Sequence, residues 1–349
     1  MTVKRIGAYV RGLLPLVLSV AVLLAAVFAV PWSQWRRIGE RAAAVAVGLR
    51  YPDNESVGRL SSSHYAAVTM PKADVSAPVS SDPVIPPKGD GGGAVREEAI
   101  TSAPTVAQVA VKNTSGVTYD YGALLEAALP PAEAEGDVQV LIVHTHTSES
   151  YMSYYAGYYN AEDASRSEDA SQTVAAVGEC VAQELRARGI GVIHDTTVHD
   201  TPYSGAYGRS EATIRRHLAE NPSIRVVLDI HRDAILYEDG TKLKPTVTVD
   251  GRKAAQVMLI VGGTDTAELP NAYCRENLQW GLRLHQEMEA HCEGVMRPLY
   301  LMDARYNQGL HPGSLLLEVG TDANTLSEAL YSGRLIGKQL ANVILSSEI

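Results

Sequence analysis

The sequence predicts an α/β fold, a mostly parallel sheet flanked by helices in one domain over residues 113–349. Three observations predict it. Apolar runs of strand length alternate with amphipathic stretches of helical period, the order expected of βα units. The strongest runs lack a polar face, as strands covered by helices on both sides do. The stretch holds roughly 235 residues, enough for one sizeable core and short for two.

The elements follow in order. Val138–Val143 (VQVLIV) is the first strand. A helix follows at about 170–188, with Val174, Val177, Val181 and Leu185 on one face and Gly189 as its stop. Residues 190–194 read as a short strand. Ser210 reads as the N-cap of a helix that ends before Asn221-Pro222. Arg225–Ile230 is the central strand, 256–261 another, 271–292 a long helix and 298–302 a strand. Residues 314–320 form the last strand, closed by a helix over 325–345. No internal repeat is visible.

Three strands end in chemistry-bearing residues. The first runs into His144, His146 and Glu149, the central one into His231, Arg232 and Asp233, and the last into Glu318. In an open α/β sheet the carboxyl edge is where ligands bind. Histidine and carboxylate delivered there from separate strands point to one divalent-metal site.

The N-terminus has a different character. Met1–Arg11 carries Lys4, Arg5 and Arg11, and residues 12–30 are uncharged and almost wholly apolar. Nineteen residues at about 1.5 Å rise span the hydrocarbon core of a bilayer. We read 12–32 as a transmembrane signal anchor with Trp32 at the interface. A cleaved signal peptide is the rival, but no clean small-x-small site precedes Pro31-Trp32. Arg36, Arg37 and Arg41 blunt the charge asymmetry, so charge alone leaves orientation open. Residues 33–112, with SSDPVIPPK and GDGGG, read as a flexible linker rich in Pro, Gly and Ser. The net charge of −10 and the lack of a basic cluster in the folded region exclude a nucleic-acid partner. Cys180, Cys274 and Cys292 form no CxxC pair, and Cys180, on a helix with apolar neighbours, reads as a structural thiol.

HTHTSESY at 144–151, GIGVIHDTTVHD at 189–200, YGRS at 207–210, VVLDIHRDA at 226–234, RYNQGL at 305–310 and LLLEVGTDANTLSEAL at 315–330 together resemble the stage II sporulation protein P family. The resemblance covers nearly all of 113–349. That family is similar in fold to the zinc-dependent N-acetylmuramoyl-L-alanine amidases. The resemblance implies a peptidoglycan hydrolase acting in engulfment, with 1–11 as a cytoplasmic N-terminus and the domain outside the cytoplasm at the cell membrane. It also implies endopeptidase action on cross-links, a glycan-cleaving partner hydrolase and a second membrane protein.

A catalytic Zn2+ takes three His or carboxylate ligands and leaves one position for water. His146 and His231 are the first two ligands on this reading. Glu149, spaced i+3 from His146, is the third, with Glu168 and His144 as rivals. Glu318 ends an apolar strand, where a carboxylate is expensive unless it has a partner or a role. It is the expected proton-transfer residue; the bland alternative is an ion pair with Arg305 or Arg209. Arg232 and Asp233 orient His231, bind substrate or form a structural salt bridge, and His199-Asp200 reads as a loop cap rather than a further polar site. The activity expected is cleavage of the amide between N-acetylmuramic acid and the stem peptide. A metallopeptidase of other specificity and a wall-binding scaffold without catalysis are the alternatives.

Overall fold

The computed structural model describes residues 85–266 and 271–347, all within the compact unit Ser62–Ile349. The expected anchor at 12–32 lies outside the described residues. Among the described residues no helix is long and apolar enough to cross a membrane.

The strands are β1 (Gly93–Glu97), β2 (Val111–Asn113), β3 (Val138–Val143), β4 (Tyr158–Tyr159), β5 (Gly191–His194), β6 (Val226–Asp233), β7 (Lys242–Lys244), β8 (Thr246–Val249), β9 (Arg252–Ala255), β10 (Val257–Gly262), β11 (Leu299–Met302) and β12 (Ser314–Thr321). The α-helices are α1 (Tyr121–Glu126), α2 (Val174–Arg186), α3 (Ala206–Glu220), α4 (Cys274–His291) and α5 (Leu326–Ser346). The main sheet has seven strands in the order β2-β11-β10-β12-β6-β3-β5. Its pairings are parallel except that of β10 with β12, so two parallel blocks meet head to tail. The mostly parallel α/β expectation holds for this sheet; the reversal at β10 was not anticipated.

Helices cover both faces. On one, Val140 and Ile142 of β3, Leu228 and Ile230 of β6, and Leu315, Leu317 and Val319 of β12 pack with α2, α4 and α5. On the other, Leu141, Val143 and Val227 pack with Ile214 of α3. The apolar period of α2 follows the expected pattern, and Gly189 (φ 81°) ends that segment in the left-handed region. Helix α5 opens with a capping box, the Thr325 hydroxyl accepting from Glu328 N and the Glu328 carboxylate from Thr325 N.

Two expectations change. Ser210 is not an N-cap. α3 begins at Ala206, after left-handed Gly205, and Ser210 Oγ bonds the Tyr207 carbonyl inside the helix. The linker also ends earlier than residue 112. β1 pairs with β4 and β7, and β2 is the edge strand of the main sheet. Short strands that rely on partners distant in sequence leave little local pattern, so a Pro/Gly/Ser-rich composition masked them. Glu97 of β1 reaches Lys244, a fully buried lysine that also pairs with Glu328 at 2.7 Å.

Candidate active site

The parallel register of β6 and β12 places Glu318 beside His231. Strand alternation puts Asp229 and His231 on one face of β6, and Leu316 and Glu318 on the same face of β12. This is the face covered by α3. His146 and Glu149 arrive on the loop after β3, closed by a turn in which Glu149 N donates to the His146 carbonyl. The Glu149 carbonyl in turn accepts from Val174 N at the start of α2, which fixes the loop.

His146, Glu149 and His231 are all buried. Glu149 Oε2 lies 3.5 Å from His231 Nδ1, and the His146 and His231 rings are 5.3 Å apart, edge to face. On its other ring edge, His231 Nε2 lies 3.0 Å from Asp229 Oδ1, an ion-pair contact off the line of a good hydrogen bond. Asp229 also accepts from Thr145 N at 2.8 Å and Thr145 Oγ1 at 2.6 Å. His146 stacks on Tyr203 at 4.5 Å and meets Tyr207 edge-on at 5.7 Å.

The electrostatics follow from this packing. Burial lowers the His146 pKa to about 4, so the ring is neutral. Burial also opposes charge on His231, but the Asp229 and Glu149 carboxylates outweigh it and hold the imidazole well above its ordinary value. Glu149 is held below the usual carboxylate range, burial being overcome by His231 and Arg232. Glu318 is half-buried as a residue, yet its Oε2 is shut away from solvent without a partner. Burial, reinforced by Asp233, pushes its pKa up to about 8.

Among the described residues no three His, Cys, Asp or Glu side chains form a ready-made metal cage. Two features nevertheless fit a divalent ion. The buried His146 Nδ1 has no hydrogen-bond partner. Two ligand atoms on one tetrahedral zinc sit about 3.4 Å apart, close to the spacing of Glu149 Oε2 and His231 Nδ1. The His, Glu, His donor set suits zinc, and Asp229 stands where a ligand histidine takes its orienting carboxylate.

The rivals lie elsewhere. His144 is fully buried, with Nδ1 3.0 Å from the Ile230 carbonyl and Nε2 2.9 Å from His194 Nε2. His194 Nδ1 meets Glu179 at 3.0 Å. A Cβ on Gly178 would sit 2.7 Å from both imidazoles, so this packing requires glycine. Glu168 is exposed. Arg232 and Asp233 both have partners within the protein. The Arg232 guanidinium donates to the Ser150 and Ser165 carbonyls, and Asp233 pairs with Arg297 at 2.9 Å. Arg305 pairs with Glu211, and Arg209 donates to the His199 and Pro202 carbonyls, so neither is the partner suggested for Glu318. His199 bonds the His144 carbonyl and Thr213, while Asp200 anchors Ser148 and Arg166. Asp229 and Tyr207 join the site without having been expected there from spacing. A carboxylate inside the apolar run VVLDI was the available signal for Asp229; Tyr207 had none beyond its motif.

Fold and site together define an α/β domain with a buried histidine–carboxylate cluster at the carboxyl ends of its central strands. Residues 94–344 match the family model of stage II sporulation protein P. The chain belongs to that family. A curated relative, the stage II sporulation protein P of Bacillus subtilis (strain 168), is 29% identical over 212 residues, 57% of this chain and 49% of the relative. The match thus spans about half the length of that relative. Among solved structures, the chain is similar to the apo form of the N-acetylmuramyl-L-alanine amidase Ami1 from Mycobacterium abscessus. That likeness has 12% identity and a TM-score of 0.36, over 62% of this chain and 100% of the other. It is also similar to the N-acetylmuramoyl-L-alanine amidase AmiC2 of Nostoc punctiforme, at 13% identity and a TM-score of 0.29, over 61% and 96%.

Proposed function

We propose that this protein hydrolyses peptidoglycan, cutting the amide between N-acetylmuramic acid and the stem peptide, with endopeptidase action on cross-links as a secondary activity. The observation that carries this reading is the pairing of Glu318 with His231 across β6 and β12, with Glu318 Oε2 buried and unpartnered. His146, Glu149 and His231 would hold Zn2+. When bound, zinc would polarise the amide, lower the pKa of a water to about 7 and favour the ionised form of Glu318. Glu318 takes the proton of the attacking water and returns it to the leaving amine. Asp229 keeps the His231 ring in one orientation. Tyr203 packs flat on His146.

The N-terminal segment completes the proposal: a 12–32 anchor, a linker and a domain facing the wall, working beside a glycan-cleaving hydrolase and a second membrane protein in sporulation. Digestion of purified sacculi with mass analysis of the products tests the chemistry. Free stem peptides with new N-termini support amidase action. Loss of cross-links with peptides still joined to sugar makes endopeptidase action primary. No product from folded, zinc-loaded protein favours the scaffold alternative.

A further inference from the structure

Two motifs without a role so far, Tyr207–Ser210 and Arg305–Leu310, meet beside the candidate site. Tyr306 and Asn307 have φ of 47° and 60°, the left-handed region that bulky residues rarely enter. Such strain persists only where the surroundings over-determine it. Here the Gln308 side chain bonds Gly262 N and the Ile260 carbonyl, both at 2.7 Å. Asn307 Nδ2 donates to the Tyr207 carbonyl and to Ser210 Oγ, both at 3.0 Å, and Arg305 pairs with Glu211 at 3.1 Å. The strained pair therefore clasps the first turns of α3.

The clasp holds the ring of Tyr207. Its centroid lies 5.7 Å from His146, edge-on, 6.4 Å from His231 at 15°, and 5.9 Å from Tyr306. The clasp's hydrogen bonds fall on the Tyr207 backbone carbonyl and leave its hydroxyl out. A phenol keeps its proton at neutral pH, so this hydroxyl is a donor beside carboxylates that, when ionised, only accept hydrogen bonds.

We propose that Tyr207 is a further catalytic residue, its phenol donating a hydrogen bond to the carbonyl oxygen of the amide under attack, with Asn307 as the residue that positions it. The proposal rests on the amidase reading for its substrate. A fixed donor is worth most where negative charge develops, and removing one such donor lowers turnover by about 10²–10³-fold.

Tyr207→Phe keeps the ring and deletes the hydroxyl. In the full-length, zinc-loaded protein, kcat on a soluble muropeptide should fall about 100-fold, with KM, zinc content and melting temperature near wild type. Asn307→Ala should lower kcat by about tenfold at unchanged KM, and should lower it no further in the Tyr207→Phe background. Equal effects of Asn307→Ala in both backgrounds would remove its positioning role. Independently of turnover, Tyr207→Phe should weaken binding of a phosphinate analogue of the amide at least about tenfold, and leave binding of the released stem peptide unchanged. Wild-type kcat together with wild-type phosphinate affinity overturns the proposal for Tyr207. If the wild type cleaves no wall amide, the amidase reading fails while the phosphinate comparison still decides Tyr207. A wild type that does not bind the phosphinate overturns both.

Discussion

Asp229 Oδ1 sits 3.0 Å from His231 Nε2, on the ring edge away from Glu149. The two residues are two apart on β6, so strand alternation alone gives them a common face. A carboxylate there orients a ligand imidazole and raises its basicity. Asp229→Asn should therefore lower zinc affinity about 10–100-fold, read by chelator competition, in a protein that remains folded. Wild-type affinity in that variant would remove Asp229 from the metal site.

The three histidines should separate cleanly. His146→Ala and His231→Ala should each abolish zinc retention and activity, because two remaining ligands hold the ion poorly. His144→Ala should keep zinc and lose stability, since it leaves the Ile230 carbonyl and His194 without their partner. The expected destabilisation is about 1–3 kcal/mol. Metal analysis and thermal melts on the three variants check this. Full zinc occupancy in His146→Ala with loss in His144→Ala would exchange their roles.

The main sheet was legible where strands are long, apolar and buried on both faces, as in β3, β6 and β12. Their carboxyl ends named His146, Glu149, His231 and Glu318 because a polar residue after such a run stands out. The structure brings these four together. The parts that stayed hidden depend on partners far along the chain. β1 and β2 are too short to show a period, and the reversal at β10 leaves no mark in its sequence. Asn307 acts through a backbone angle and a hydrogen bond to a residue 100 positions away. Composition and spacing carry neither kind of information.

Trimming the chain tests both ends of this layout. Full-length protein should resist alkaline carbonate extraction from membranes, while a fragment starting at Ile85 should be soluble and folded. Starting instead at Thr114 removes β1 and β2 and strips Glu97 from buried Lys244. Its melting temperature should be lower by about 5 °C or more. Equal stability of the two fragments would return residues 85–113 to the linker.

Acid sensitivity has an identifiable contributor on α4. His285 is 1% exposed, and burial lowers its pKa to about 4 from 6.5. The folded value lies below the unfolded one, so the neutral ring is no liability above pH 6.5. Stability is lost progressively as pH falls from there, and the loss is complete below about 4, with a ceiling of about 3 kcal/mol. His285→Gln should flatten the fall in melting temperature across that window. An unchanged profile would assign the acid response to other groups.

Glu318→Gln separates chemistry from assembly. The amide keeps the size and nearly the shape of the side chain but cannot take up a proton. If Glu318 is the general base, the variant stays folded and binds zinc as the wild type does, and its turnover on sacculi falls by about two to four orders of magnitude. The same change removes a buried carboxyl whose Oε2 has no partner. Stability near neutral pH should therefore hold or rise slightly, the opposite of what loss of a structural ion pair would produce. If Glu318 is instead a ligand, zinc occupancy falls with activity, because a neutral oxygen holds zinc poorly. Zinc content, thermal melting and sacculus digestion measured on this one variant distinguish the three roles. Normal digestion by a zinc-loaded Glu318→Gln protein would sink the mechanism.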